Sequence, residues 1–153
     1  MEKLTFNTLI SAGPETVWNV LWSANTYPQW TSAFCEGSHM VTDLQRGSKV
    51  LFLDGKGSGM VSKVAELIPN EYISFEHLGE VKNGVEDTES EQVKSWAGAH
   101  ENYTLTVTAD KTNLVVDLDT QTIPDEFKDF FVKTFPLALS KVKDLSEANM
   151  SNR

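Results

Sequence analysis

The chain has 153 residues, 40% hydrophobic and 23% charged, with 22 Asp and Glu against 13 Lys and Arg and a formal net charge of −9. That length and composition fit one domain with its own core, read here as 1–153, and the dispersed acidic charge disfavours nucleic acid and anionic membranes, which call for Lys/Arg patches. Membrane insertion and export are not expected, because no apolar run reaches the length of a span and MEKLTFNTLIS lacks a basic segment before a long apolar one; the single Cys35, unable to form an intrachain disulfide, fits a cytoplasmic location.

Lys3 to Ser11 alternates, with Leu4, Phe6, Thr8 and Ile10 on one face, as a half-buried strand does. Ala12-Gly13-Pro14 breaks it, and Pro14 opens a helix, PETVWNVLW, with Pro in the favoured first position. Asn25 to Trp30 predicts a further short helical turn. Strands follow at Ser38 to Leu44, Lys49 to Leu53, Gly59 to Ile68 and Tyr72 to Leu78, the second and third joined by the hairpin signal Asp54-Gly55-Lys56-Gly57. In the fourth, Ile73, Phe75 and His77 share a face. Residues 79 to 95 are polar and acidic, and predict a loop with one helical turn around Thr88 to Val93.

Ala99 to Asp110 predicts another strand, with Glu101, Tyr103, Leu105 and Val107 on one face. Lys111-Thr112-Asn113 is read as the turn after it. Leu114 to Gln121 is the last strand, with Leu114, Val116 and Leu118 inward. Pro124 to Ala148 is the one long stretch of helical period, with Phe127, Phe130, Phe131, Thr134, Leu137, Ala138, Val142 and Leu145 forming an apolar stripe. Pro136 falls inside it, and predicts either a kink or two separate helices.

Strands joined by short turns pair antiparallel, because parallel neighbours need long crossovers. One face of such a sheet can stay wet, while the other must be covered. The terminal helix carries the stripe of matching size, so the expected class is α+β, with a long helix on a curved antiparallel sheet.

The ordered set SAGPETVWNVLW, NTYPQWTSAF, RGSKVLFLDGKGSGMVSKVAELIPNEYISFEH, WAGAHENYTLTV, TNLVVDLDT and FPLALSKVKDLSE resembles the START-like superfamily, also called SRPBCC or helix-grip proteins. Within it the chain resembles the branch homologous to the activator of the heat-shock-protein-90 ATPase. The resemblance covers nearly the whole chain. It implies a sheet of about seven strands gripping a C-terminal helix, two short helices after the first strand, and an apolar cavity between sheet and helix. Superfamily members bind lipids, hormones or polyketides, and some catalyse cyclisation or aromatisation. A chaperone activator would be expected to carry a further domain, for which 153 residues leave no room.

Candidate chemistry is sparse. Cys35, in AFCEG, has Glu36 beside it and no basic neighbour to activate a thiolate. GKGSG lacks the lysine and following helix of a phosphate loop. His39, His77 and His100 lie on separate strands without metal-ligand spacing, so no metal and no cofactor is expected. Glu101 stands out by falling on an otherwise apolar face. A buried carboxylate is costly unless paired, hydrogen-bonded or protonated. It is read either as a polar anchor or general acid/base, or as a strand-end group paired with His77 or His100.

The aromatic residues Phe52, Phe75, Trp96, Tyr103, Phe127, Phe130, Phe131 and Phe135 are expected to converge between sheet and helix. Such a core, if hollow, would be a ligand pocket of a few hundred Å³. The expected ligand-binding residues are Phe52, Phe75, His77, Trp96, Glu101, Tyr103, Phe127, Phe131 and Phe135, and the expected partner is a small hydrophobic or amphipathic molecule. Two alternatives stand beside this: a cyclase- or hydrolase-type enzyme using Glu101, His77 or Tyr103, and an interaction module with an exposed apolar patch around Trp18, Trp22 and Trp30. A monomer or a homodimer is compatible with all three.

Overall fold

A computed structural model describes residues 3–119 and 125–151, with side chains to 148. Pro124 and the end of the last predicted strand at 120–121 lie outside the described residues. The order is β1 (Lys3–Ile10), α1 (Pro14–Trp22), α2 (Tyr27–Thr31), β2 (His39–Val41), β3 (Lys49–Leu53), β4 (Gly59–Ile68), β5 (Tyr72–Lys82), β6 (Val85–Asp87), α3 (Glu91–Lys94), β7 (His100–Thr108), β8 (Lys111–Asp119) and α4 (Asp125–Ser151). The fold is α+β, as the alternation and the turns require.

The described strands form one antiparallel sheet in the order β1-β8-β7-β5-β4-β3-β2, with β6 also paired to β5. One side of β5 is shared: Tyr72 to Glu76 pair with β7, and Glu80 to Lys82 pair with β6. The 79–95 stretch is therefore not all loop. Its signal was Asn83-Gly84, where both residues take left-handed backbone (φ 50° and 83°), the geometry of a two-residue hairpin turn. Gly79 is obligatory there, because a Cβ on it would lie 2.1 Å from the Asp87 carbonyl oxygen. The predicted turn at 111–113 is also displaced. Thr108 pairs with Lys111, so the turn is Ala109-Asp110, both left-handed, and β8 starts three residues early.

Register decides which faces are buried. Ile10, Val50, Val64, Ile73, Phe75, Tyr103, Leu105, Leu114, Val116 and Leu118 line the inner face. The long helix does not cover the middle of this face. It packs chiefly on β1, α1 and α2, with Phe135 stacked on Phe6 at 5.0 Å. The middle is covered by α1 and α2 instead. Trp22 meets Phe75 and Tyr103 edge-on at 5.3 and 4.9 Å, and the Trp30 indole N–H donates to the Leu21 carbonyl oxygen between the two helices. The three tryptophans Trp18, Trp22 and Trp30 are buried, so they form no exposed patch.

Along α4 the buried residues are Thr134, Phe135, Ala138, Leu139, Val142 and Ser146. Leu137, expected on the stripe, is 62% exposed, and Leu139 takes its place. The helix is continuous through Pro136, which is exposed. The group that Pro136 leaves without its helical hydrogen bond is the carbonyl of Val132, a residue 50% exposed.

Candidate functional site

Four side chains on the inner face form a polar chain. Glu101 and Tyr103 are two apart on β7 and share a face, because side chains alternate along a strand. The Tyr103 hydroxyl donates to Glu101 Oε2. Phe75 stands directly opposite Glu101 on β5, and two residues further His77 reaches back so that its Nε2 lies 3.1 Å from Glu101 Oε1. On the other side of the ring, His77 Nδ1 is 2.7 Å from Ser62 Oγ on β4. A carboxylate oxygen only accepts, so Nε2 carries the proton; in the neutral ring Nδ1 then accepts from the Ser62 hydroxyl.

Ser62 is fully buried, and a register shift between Val61 and Ser62 accompanies its alignment with His77. His77 is buried too, while the Glu101 side chain keeps 21% of its surface open. Glu101 is thus the more open of the two, with one carboxylate oxygen on His77 and the other on Tyr103. Burial pushes the Tyr103 phenol well above its ordinary value, and the Glu101 charge pushes it further the same way. Burial raises Tyr27 likewise, with Glu101 again adding to the shift. Both phenols therefore stay protonated, and Tyr103 stays a donor.

The predicted site residues divide into two groups. Phe52, Phe75, His77, Glu101 and Tyr103 come together: Phe52 lies edge-on to Phe75 at 5.1 Å and to His77 at 6.0 Å. Phe135 lies elsewhere, against Phe6 and Phe34. Phe131 joins Phe130 and Phe135 along α4, and Phe127 is 52% exposed. Trp96 is half-buried in the turn before β7. His100, the other partner weighed for Glu101, is turned to Asp119 at 3.5 Å.

Ser62 and Tyr27 escaped the sequence reading, and Trp22 entered it only as part of an exposed patch. Ser62 carries no local signal, since only the β4–β5 register brings it to His77. Trp22 and Tyr27 had one: the density of aromatic residues in VWNVLWSANTYPQW.

Two shallow, open pockets are found among the described residues, and neither is lined by the polar chain. One, of about 210 Å³, lies between the α1–α2 corner and β2. The other, about 440 Å³ and wide open, lies over Val41, Asp43 and Lys49 at the outer edge of the sheet. Among the described residues no group of three or more His, Cys, Asp or Glu is placed to hold a metal ion, and no helix is long and apolar enough to cross a membrane.

The sequence matches the family model described as activator of Hsp90 ATPase homolog 1-like protein over residues 11–147. No curated protein sequence matches it. Among solved structures, the fold is similar to that of the Aha1 dimer from Colwellia psychrerythraea, with a TM-score of 0.72 and 19% identity over 94% of this chain and 95% of that one. It is similar to MLL2253 from Mesorhizobium loti, with a TM-score of 0.73 and 15% identity over 96% and 98% of the two chains. DynU16, a protein of the dynemicin biosynthetic locus, gives 0.72 and 16% over 97% of this chain but 48% of its own length. At these identities the likeness is one of fold.

Proposed function

Because the chain belongs to the family of activator of Hsp90 ATPase homolog 1-like proteins, we propose that it is a START-like binding domain for a small amphipathic ligand on the inner face of its sheet. The observation that carries this is the Tyr103–Glu101–His77–Ser62 chain, set among aromatic rings, in which the Glu101 side chain keeps 21% of its surface open. Glu101 would take a hydroxyl or amine of the ligand, and Phe52 and Phe75 would receive its apolar body. Phe127 and Phe131, on the first turns of α4, are the residues expected to close over it, since Phe127 is exposed and Phe131 only half-buried. Trp96 and Phe135 would bound the site further out.

The space is packed by Trp22, Trp30 and Tyr27, so binding requires α4 or the α1–α2 corner to shift. Native mass spectrometry of the purified chain, with displacement of an environment-sensitive dye, tests the proposal. Saturable dye uptake by the folded protein is expected, weakened about tenfold in Glu101→Gln, the factor for roughly one charge-assisted hydrogen bond. Absence of saturable uptake, or uptake indifferent to the substitution, would sink it.

Two specific observations favour other readings. The polar chain satisfies the reach that acid/base catalysis needs, which supports a cyclase- or hydrolase-type enzyme using Glu101, His77 or Tyr103. Turnover of a cyclisable polyketide analogue, lost in His77→Ala, would establish that reading. The exposed Phe127, Val132 and Leu137 on α4 support an association surface, for a chaperone or a second copy. Light scattering across a concentration series distinguishes monomer from homodimer.

A further inference from the structure

The course of α4 along β1 places its phenylalanines relative to the polar chain. Phe135 stacks on Phe6, and the Ser11 N–H donates to Glu147 Oε2 at 2.9 Å. Residues 135 to 147 of the helix, about 18 Å, thus run alongside residues 6 to 11, about 17 Å of extended chain, in the same direction. Four residues earlier in the helix correspond to about two residues earlier in the strand. Phe131 therefore stands level with Leu4, and Phe127 level with the start of β1. Leu4 pairs with Leu118 and Leu118 with Glu101. Phe131, Leu4, Leu118 and Glu101 form one row across the end of the inner face.

Each end of that row is incomplete. Phe127 and Phe131 continue the line of Phe135 along one side of the helix. Yet Phe127 is 52% exposed and Phe131 only half-buried, where Phe135 is buried. The helix carries its apolar side past the body that covers it. At the other end stands Glu101. A carboxylate has about four acceptor sites; His77 takes one on Oε1 and Tyr103 one on Oε2. What is left can only accept. No Lys or Arg among the described residues pairs with Glu101, and Lys128, on the first turns of α4, is 3.6 Å from Asp125 of its own helix. The Glu101 charge reaches both Tyr27 and Tyr103, whose phenols it pushes further up after burial has raised them.

We infer that the ligand of this face is a small organic ammonium with an extended apolar body, its ammonium on Glu101 and its body laid over Leu118 and Leu4 toward Phe131 and Phe127. The inference rests on the inner-face binding proposed above. From β7 to β1 is two strand spacings, roughly 10 Å, which sets the length of the body. An ammonium brings donors and a positive charge to an acceptor-only, negative group. A hydroxyl brings the donor without the charge, and a carboxylate meets like charge.

The probes are n-decylamine, 1-decanol and decanoate, each added to the full chain below its aggregation threshold. The readout is the His77 ring in nitrogen–hydrogen correlation spectra. Decylamine is expected to shift it saturably and to bind about tenfold tighter than decanol, the factor for roughly one charge-assisted contact, with decanoate weakest. Glu101→Gln should bring the amine down to the level of the alcohol. Since a net charge of −9 attracts any amine, Glu15→Gln, at the exposed start of α1 beyond the far end of β1, should leave the preference in place. Phe131→Ala should weaken amine and alcohol alike. The inference is overturned, with inner-face binding left standing, if decanol or decanoate binds as tightly as decylamine. It is equally overturned if the preference survives Glu101→Gln, if Glu15→Gln abolishes it, or if Phe131→Ala leaves both affinities unchanged. If none of the three probes shifts the His77 ring, the inner-face reading falls with it.

Discussion

Tyr103 and Glu101 stand two residues apart on the same face of β7, and the phenol donates its hydrogen bond to the carboxylate. That contact lets a carboxylate sit on the inner face of the sheet. Tyr103 on one oxygen and His77 on the other supply the donors that water would otherwise provide.

Tyr103→Phe should therefore destabilise the fold by about 1–2 kcal/mol, since it leaves a partly buried carboxylate oxygen without its donor. Urea unfolding of the variant against the parent checks this. In alkaline titration followed at 295 nm, neither Tyr27 nor Tyr103 should ionise before the protein unfolds, because burial and the Glu101 charge hold both phenols up.

The face of α4 gives a paired test. Leu139 is buried and Leu137 is 62% exposed, two residues away on one helix. Leu139→Ala should cost about 2–4 kcal/mol, and Leu137→Ala less than about 0.5 kcal/mol. Equal losses in thermal or urea unfolding would mean that the helix presents another face. If α4 is an association surface, Leu137→Ala should lower self-association while leaving stability unchanged.

The β7–β8 turn is strained where the β5–β6 turn is not. Ala109 and Asp110 have φ of 49° and 67°, the same geometry that Asn83-Gly84 adopts. Alanine is a poor residue for that conformation, whereas Asn-Gly suits it. The double substitution Ala109→Asn with Asp110→Gly should raise stability by about 1 kcal/mol. An unchanged unfolding midpoint would show that the turn is not strained.

Acid should weaken the fold through three carboxylates. Asp54 accepts from the backbone N–H groups of Ser58 and Lys56 in its hairpin, and Asp87 from those of Ser90 and Glu89 before α3. Glu147 is held by Lys143 and by the Ser11 N–H. In each case these bonds lower the folded-state pKa. Their stabilisation is full above the ordinary carboxylate range and is lost as pH falls through the lowered values. Stability measured from pH 6 downward should fall less steeply in Glu147→Gln than in the parent, from a lower starting point. Parallel curves would remove Glu147 from this account.

Local chemistry made the fold legible. Alternation in Lys3 to Ser11 and in Leu114 to Leu118 fixed which side chains turn inward, because one strand needs no partner to define its two faces. The α+β class followed from antiparallel strands that needed cover. Glu101 was visible as a charged residue on an apolar face. What covers the middle of the sheet was decided only in three dimensions. A helical stripe states that one face is buried and not against what, and α4 went to β1 while the aromatic residues of α1 and α2 took the centre. Ser62 joined the polar chain only through the register of β4 on β5, including a shift that no residue in GMVSKVAELI announces. The resulting division is physical: periodicity is set by each segment's own backbone, whereas contacts across the sheet are set by register and packing among segments distant in the chain.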